Sequence, residues 1–95
     1  MPCLVVTVRL WVKEGRFSEF ADFEARAFEI MAGHGVEIVS IVQDHAQTLS
    51  AGPHETHILK FPDSAALEAY RADPALLALA DLRNACIART EIAIQ

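Results

Sequence analysis

Four histidines, at positions 34, 45, 54 and 57, are the residues of this chain best suited to chemistry. An imidazole near neutral pH can take up a proton, release one or bind a metal ion. His54 and His57 lie in "HETHILKF", residues 54–61. On a strand, residues three apart point to opposite faces, so these two cannot chelate one ion together. His45 can meet His54 or Glu55 across a hairpin mouth. Only two ligands assemble in this way, whereas a metal site takes three or four. No metal and no cofactor is therefore expected, and His45 and His54 read as loop-edge residues.

His57 is the stronger candidate. If it faces the helices that cover the sheet, it can serve as a general base or a ligand donor there. Tyr70 and Glu24 are the helical polar groups within reach of it. His57 and Tyr70 are accordingly the candidate catalytic residues. Arg9 and Trp11, with Thr7 and Lys60, make a second constellation. Two cations and an indole on one sheet face suit an anionic or aromatic small molecule. They equally suit a subunit interface, where Arg and Trp are enriched.

These side chains depend on a small set of elements. Residues 3–12 alternate, with Leu4, Val6, Val8, Leu10 and Val12 on one wholly apolar face. Such alternation in a β-branched run predicts a strand. "KEG" at 13–15 turns the chain. From Ser18 the period becomes helical, with Phe20, Phe23, Ala27, Ile30 and Met31 recurring at threes and fours. "GHG" at 33–35 ends that helix by offering left-handed conformations. Strands are predicted at 36–43 and 55–61, joined by a loop at 46–53. Asp63 or Ser64 caps a short helix to about Arg71. Asp73 followed by Pro74 is a cap with proline at the first helical position, so a second helix restarts there and runs to about Cys86. A last strand covers 89–95.

The order is strand, helix, strand, strand, helix, strand. Right-handed crossovers place both helices on one face of a four-stranded antiparallel sheet, with the first and third strands central. This is the ferredoxin-like α+β arrangement, with the second helix broken near Asp73-Pro74. Leu59 and Phe61 set the odd residues of the third strand toward the helices. Thr7, Arg9, Trp11, Thr56, Ile58 and Lys60 then occupy a face that the chain itself cannot cover.

The totals fit one domain over residues 1–95, with a thin core. Yet 53% of the residues are apolar, above the usual range. Covering a second apolar surface with a twin explains the excess, and a homodimer is expected. Thirteen acidic residues against eight basic ones give a net charge of −5. That balance argues against nucleic acid and anionic membranes, which need a basic patch. The opening apolar stretch reads as a strand and not a signal peptide, and no run reaches the roughly 18 apolar residues of a membrane span. Two cysteines without metal spacing, Cys3 and Cys86, fit reduced thiols in a cytoplasmic protein. No Cys-x-x-Cys pair, Gly-rich phosphate loop, Ser-His-Asp pattern or paired-carboxylate motif is present.

The segment "THILKFPDSAALEAYRADPALLALADLR" resembles the strand–helix segment of the dimeric α+β barrel superfamily. The likeness lies in an aromatic ending the third strand, Phe61, a small capping residue, Ser64, an aromatic within the helix, Tyr70, and the break at Asp73-Pro74. That superfamily includes antibiotic-biosynthesis-type monooxygenases, haem-degrading monooxygenases, muconolactone isomerase-like enzymes and many uncharacterised short bacterial proteins. This chain is most like the last group. In the haem-degrading branch the catalytic asparagine would fall at Val8, the pocket tryptophan at Phe61 and the haem-ligating histidine near Leu79. Only aromatic character survives, so the resemblance implies no haem chemistry and leaves Phe61, with Arg9 and Trp11, as a candidate ligand-binding residue. It implies a protein that binds a small apolar or aromatic molecule. The alternative is a cofactor-independent monooxygenase or isomerase acting on an aromatic or polyketide-like substrate. A cavity large enough for an aromatic ring, with His57 on its wall, would favour the enzyme. An interface packed solid by Phe20, Phe61, Tyr70 and Leu79 would favour the binding reading.

Overall fold

The computed structural model describes residues 3–48 and 50–95. Met1 and Pro2 of the opening stretch, and Leu49 of the 46–53 loop, lie outside them. The elements follow the order β1 (Leu4–Val12), α1 (Phe17–Gly33), β2 (Glu37–Gln43), β3 (Glu55–Phe61), α2 (Ser64–Arg71), α3 (Pro74–Leu77), α4 (Ala80–Cys86) and β4 (Ile87–Ile94). The four strands form one antiparallel sheet in the order β2-β3-β1-β4. β1 and β3 are central, as the alternation requires.

Register fixes which side chains share a face, because directly paired residues in an antiparallel ladder point the same way. Val6 pairs with Leu59, Val8 with His57 and Leu10 with Glu55. Across the other edge Val6 pairs with Ile94, Val8 with Ile92 and Leu10 with Thr90. All of these lie on the helix-covered side. The core there falls into two clusters. Val6, Met31, Leu59, Phe61 and Leu67 make one, and Leu10, Val12, Phe20, Cys86 and Ile87 make the other. Between them stand Val8 and His57.

The helices start where their caps put them. Asp63 Oδ1 accepts from Ala66 N at 2.8 Å and begins α2. Asp73 Oδ1 accepts from Ala75 N at 2.8 Å and, with Pro74 at the first position, begins α3. His34 Nε2 lies 2.8 Å from Asp73 Oδ2 and ties the end of α1 to the α2–α3 junction. Gly35 takes φ +74°, and a Cβ there would come within 3.2 Å of Pro62 Cγ, so the turn into β2 needs glycine twice over.

Three details differ from the sequence reading. The helix expected to run unbroken from Pro74 to Cys86 bends at Ala78 and Leu79 into two pieces, the second of which buries Cys86 beside Val12. β4 begins at once after that helix, at Ile87 and not at 89. Trp11, expected to be wet on the open face, is only 7% exposed, and the Arg89 guanidinium lies 4.7 Å from its ring centroid. The uncovered apolar surface sits at the sheet edges instead. Val42 is 60% exposed, and Ile92 and Ile94 are about half exposed, since two short helical pieces do not reach across β4.

Candidate functional site

The stripe that α1 turns inward runs Phe20, Ala27 and Met31, all buried. Its spacing includes position 24, and there the residue is glutamate. Opposite it, β3 carries Glu55 and His57, two apart and so on one face of the strand. The three polar side chains meet between the two apolar clusters. His57 Nε2 donates to Glu55 Oε1 at 2.7 Å. Glu24 Oε2 lies 3.1 Å from the same nitrogen but without hydrogen-bond geometry, so it is buried with no donor among the described residues. Glu55 Oε2 accepts from His45 Nε2 at 2.6 Å and from Gln43 Nε2 at 3.2 Å. A chain of contacts thus runs from half-exposed His45 through Glu55 to His57 and Glu24.

Each ionisation follows from these neighbours. Burial by itself would push His57 down, but the Glu24 and Glu55 carboxylates outweigh it and hold the imidazole at about 9. Burial would likewise raise Glu55, yet hydrogen bonds from His57 and His45 bring it to about 2. Glu24 goes the other way: burial raises it, and His57 only partly offsets this. At neutral pH the cluster is an imidazolium between two glutamates, one well satisfied and one not.

This cluster opens onto a cavity of about 320 Å³ between the sheet and the helices, at the small end of ligand cavities. Val6, Val8, Leu10, Phe20, Phe28 and Leu59 make most of its wall. Its polar residues are Glu24, His57, Tyr70, Arg71, Arg83 and Thr90. The Tyr70 hydroxyl is pushed up to about 12, chiefly by burial. It is therefore a proton donor at ordinary pH, not a base.

A family model described as a domain of unknown function, DUF1330, matches residues 12–95. The chain belongs to that family. No curated protein matches the sequence. Among solved structures, a dabb family protein with a ferredoxin-like fold from Mesorhizobium loti is similar, at 18% identity and a TM-score of 0.73. That match covers 100% of this chain and 96% of the other. A point mutant of SnoaB, a cofactor-independent oxygenase from Streptomyces nogalater, matches at 18% identity and a TM-score of 0.78, over 100% of this chain and 92% of the other. A protein of unknown function from Bacteroides fragilis, described as dimeric with a ferredoxin-like fold, matches at 7% identity and a TM-score of 0.72, over 98% and 94%. At these identities the likeness shows the fold. That fold is the ferredoxin-like one of antibiotic-biosynthesis-monooxygenase-like proteins, as the strand–helix segment implied.

In this DUF1330 chain the residues singled out from sequence fall into two groups. His57, Tyr70 and Phe61 all line the cavity. Arg9 and Trp11 are on the far side of the sheet, in register with Glu91 and Arg89, and do not reach it. Glu24, Glu55 and His57 bring three potential ligand atoms within 4.8 Å of one another, where the sequence assembled only two ligands. Glu55 is the residue that sequence reasoning left out as a partner of His57. The signal was available, since residues two apart on a strand share a face. His54, read as a loop-edge residue, is buried. Its Nδ1 accepts from Val12 N at 2.9 Å and its Nε2 donates to Gln47 O at 2.8 Å, stitching the loop to β1.

Proposed function

We propose that this protein binds a small apolar or aromatic molecule in the cavity between helices and sheet. The supporting observation is the cavity itself: about 320 Å³ of largely apolar space with a few polar groups on its wall. Phe61 supplies the apolar wall, and His57 and Tyr70 supply polar groups. The Arg9–Trp11 face is assigned to the protein surface or to an interface, not to the ligand. Isothermal calorimetry with a panel of one- and two-ring aromatics tests the reading. Saturable one-site binding that Leu59→Trp abolishes, by filling the cavity, is the expected result; the absence of any saturable binding removes it.

A second reading is catalysis without a cofactor, as monooxygenase or isomerase on an aromatic or polyketide-like substrate. Two observations favour it: the cavity is large enough for an aromatic ring and has His57 on its wall, the outcome expected above to favour an enzyme, and that imidazole is cationic and flanked by two glutamates. SnoaB shares the fold and is a cofactor-independent oxygenase.

The active unit is proposed to be a homodimer of single-domain chains of residues 1–95. Val42, Ile92 and Ile94 leave apolar area at the sheet edges, and a protein of the same fold is described as dimeric. Light scattering at twice the 10.4 kDa chain mass is expected, and a mass of one chain contradicts it. Among the described residues no helix is long and apolar enough to cross a membrane. Two free thiols, one exposed and one buried, suit a reducing compartment, and the cytoplasm is the proposed location.

A further inference from the structure

Glu24 interrupts the apolar stripe of α1 and lies on the cavity wall. The donors around it are engaged elsewhere. The His57 Nε2 proton goes to Glu55 Oε1, and His45 and Gln43 serve Glu55 Oε2. Glu24 Oε2 is left buried with no hydrogen bond among the described residues, held only by its 3.1 Å ion-pair contact with His57 Nε2. A carboxylate oxygen shut away from water without a donor is an incomplete arrangement. The Glu24 side chain as a whole is 18% exposed and lies on the cavity wall, so a molecule there can donate to its carboxylate.

The remaining wall limits what that molecule is. Its body must be apolar to match Val6, Val8, Phe20, Phe28 and Leu59. An anionic group placed against Glu24 would meet its carboxylate. An ammonium would leave water for a mostly apolar space whose other charged residues are the cationic His57, Arg71 and Arg83. A neutral hydroxyl meets neither objection. We infer that the cavity takes a compact apolar molecule bearing a hydroxyl of phenol or enol type, and that Glu24 accepts the hydrogen bond from that O–H. This rests on the binding reading above and narrows its ligand.

The probes are 2-naphthol and 2-methoxynaphthalene, which share a ring system and differ in the O–H, each titrated into the full chain by calorimetry. A hydrogen bond to a charged acceptor predicts that 2-naphthol binds about tenfold tighter or more. Glu24→Leu is expected to erase that preference while keeping affinity for the ether. Glu24→Gln, which retains the shape but not the charge, is expected to reduce the preference, and it decides the matter if the leucine variant does not fold. Equal affinities in the unmodified protein, or a preference unchanged in the folded variant, overturn the assignment of Glu24 and leave the binding reading standing. Failure of both probes while other aromatics of the panel bind overturns this inference alone, and failure of the whole panel overturns the two together.

Discussion

His54 and His57 lie three residues apart and are equally buried, yet they do opposite jobs. His54 is held by backbone groups, an N–H on one nitrogen and a carbonyl on the other. That pair of partners matches a neutral ring with its proton on Nε2. His57 is held by carboxylates and keeps a positive charge to about pH 9. Burial does not decide what a histidine does; the charge of its partners does. One ring is a stitch between a loop and a strand, and the other is a charged element on a cavity wall.

Removing the carboxylate that makes His57 different tests the contrast most severely. Glu55 side-chain exposure is 1%, and its two oxygens serve His57, His45 and Gln43. Glu55→Gln removes the charge and leaves one acceptor oxygen, in place of two, for two imidazoles and a glutamine amide. Removing one partner of a buried charge pair predicts a loss of about 3 kcal/mol or more, read as a lower urea midpoint. The loss should be smaller when His57→Gln is already present. Equal losses in both backgrounds would mean the two side chains do not act as a unit.

The pH dependence comes next. The folded chain holds His57 at about 9 against an ordinary 6.5, so the folded state binds its proton more tightly. The stability this contributes is complete below pH 6.5 and is lost as pH rises through 9, on the order of 3 kcal/mol over that range. Glu55 contributes in the reverse sense, fully above 4.5 and progressively less as pH falls toward 2. Glu24, raised by burial, works against folding as it ionises above 4.5. Urea midpoints taken from pH 6 to 9.5 should fall, and His57→Gln should flatten that fall. An unchanged slope in the variant would assign the alkaline loss to other groups.

His54 answers to a different probe. His54→Ala leaves the Val12 N–H buried without its acceptor, a loss of about 1–3 kcal/mol. Amide exchange should locate the damage: Val12 exchanges faster in the variant, while the amides of Leu59 and Phe61, deep in β3, keep their relative protection. Uniform acceleration across the sheet would argue that His54 supports the whole fold and not a local stitch.

What could be read from sequence was local. The alternation of β1, the stripe of α1, the Asp63 cap and the Asp73-Pro74 restart each depend on neighbours a few residues away, and the central position of β1 and β3 followed from them. What could not be read depends on register and on distance between layers. His45 reaching Glu55 was foreseen only as one choice of two, because the β2–β3 pairing contains an irregularity between Ile38 and Ser40. The cavity is lined jointly by residues of the helices and of β1, β3 and β4, and no residue type encodes such a space. Arg89 meeting Trp11 needed the β1–β4 register, in which the two are paired.

That last pairing yields the smallest predicted effect and the sharpest contrast with the cavity side. The Arg89 guanidinium sits 4.7 Å from the Trp11 ring and is also paired with Glu91, on a sheet face with no helix over it. A cation over an indole at a largely exposed site contributes about 0.5–1 kcal/mol. Arg89→Gln should therefore lower stability by that much and uncover the ring. Trp11 is the chain's one tryptophan, so its emission reports this site alone and should shift to the red. If the twin chain covers this face, the shift will appear only on dilution below the dimer's dissociation constant. Emission that responds to Arg89→Gln equally at every concentration would mean that Arg89, and not a second copy, is what keeps Trp11 dry.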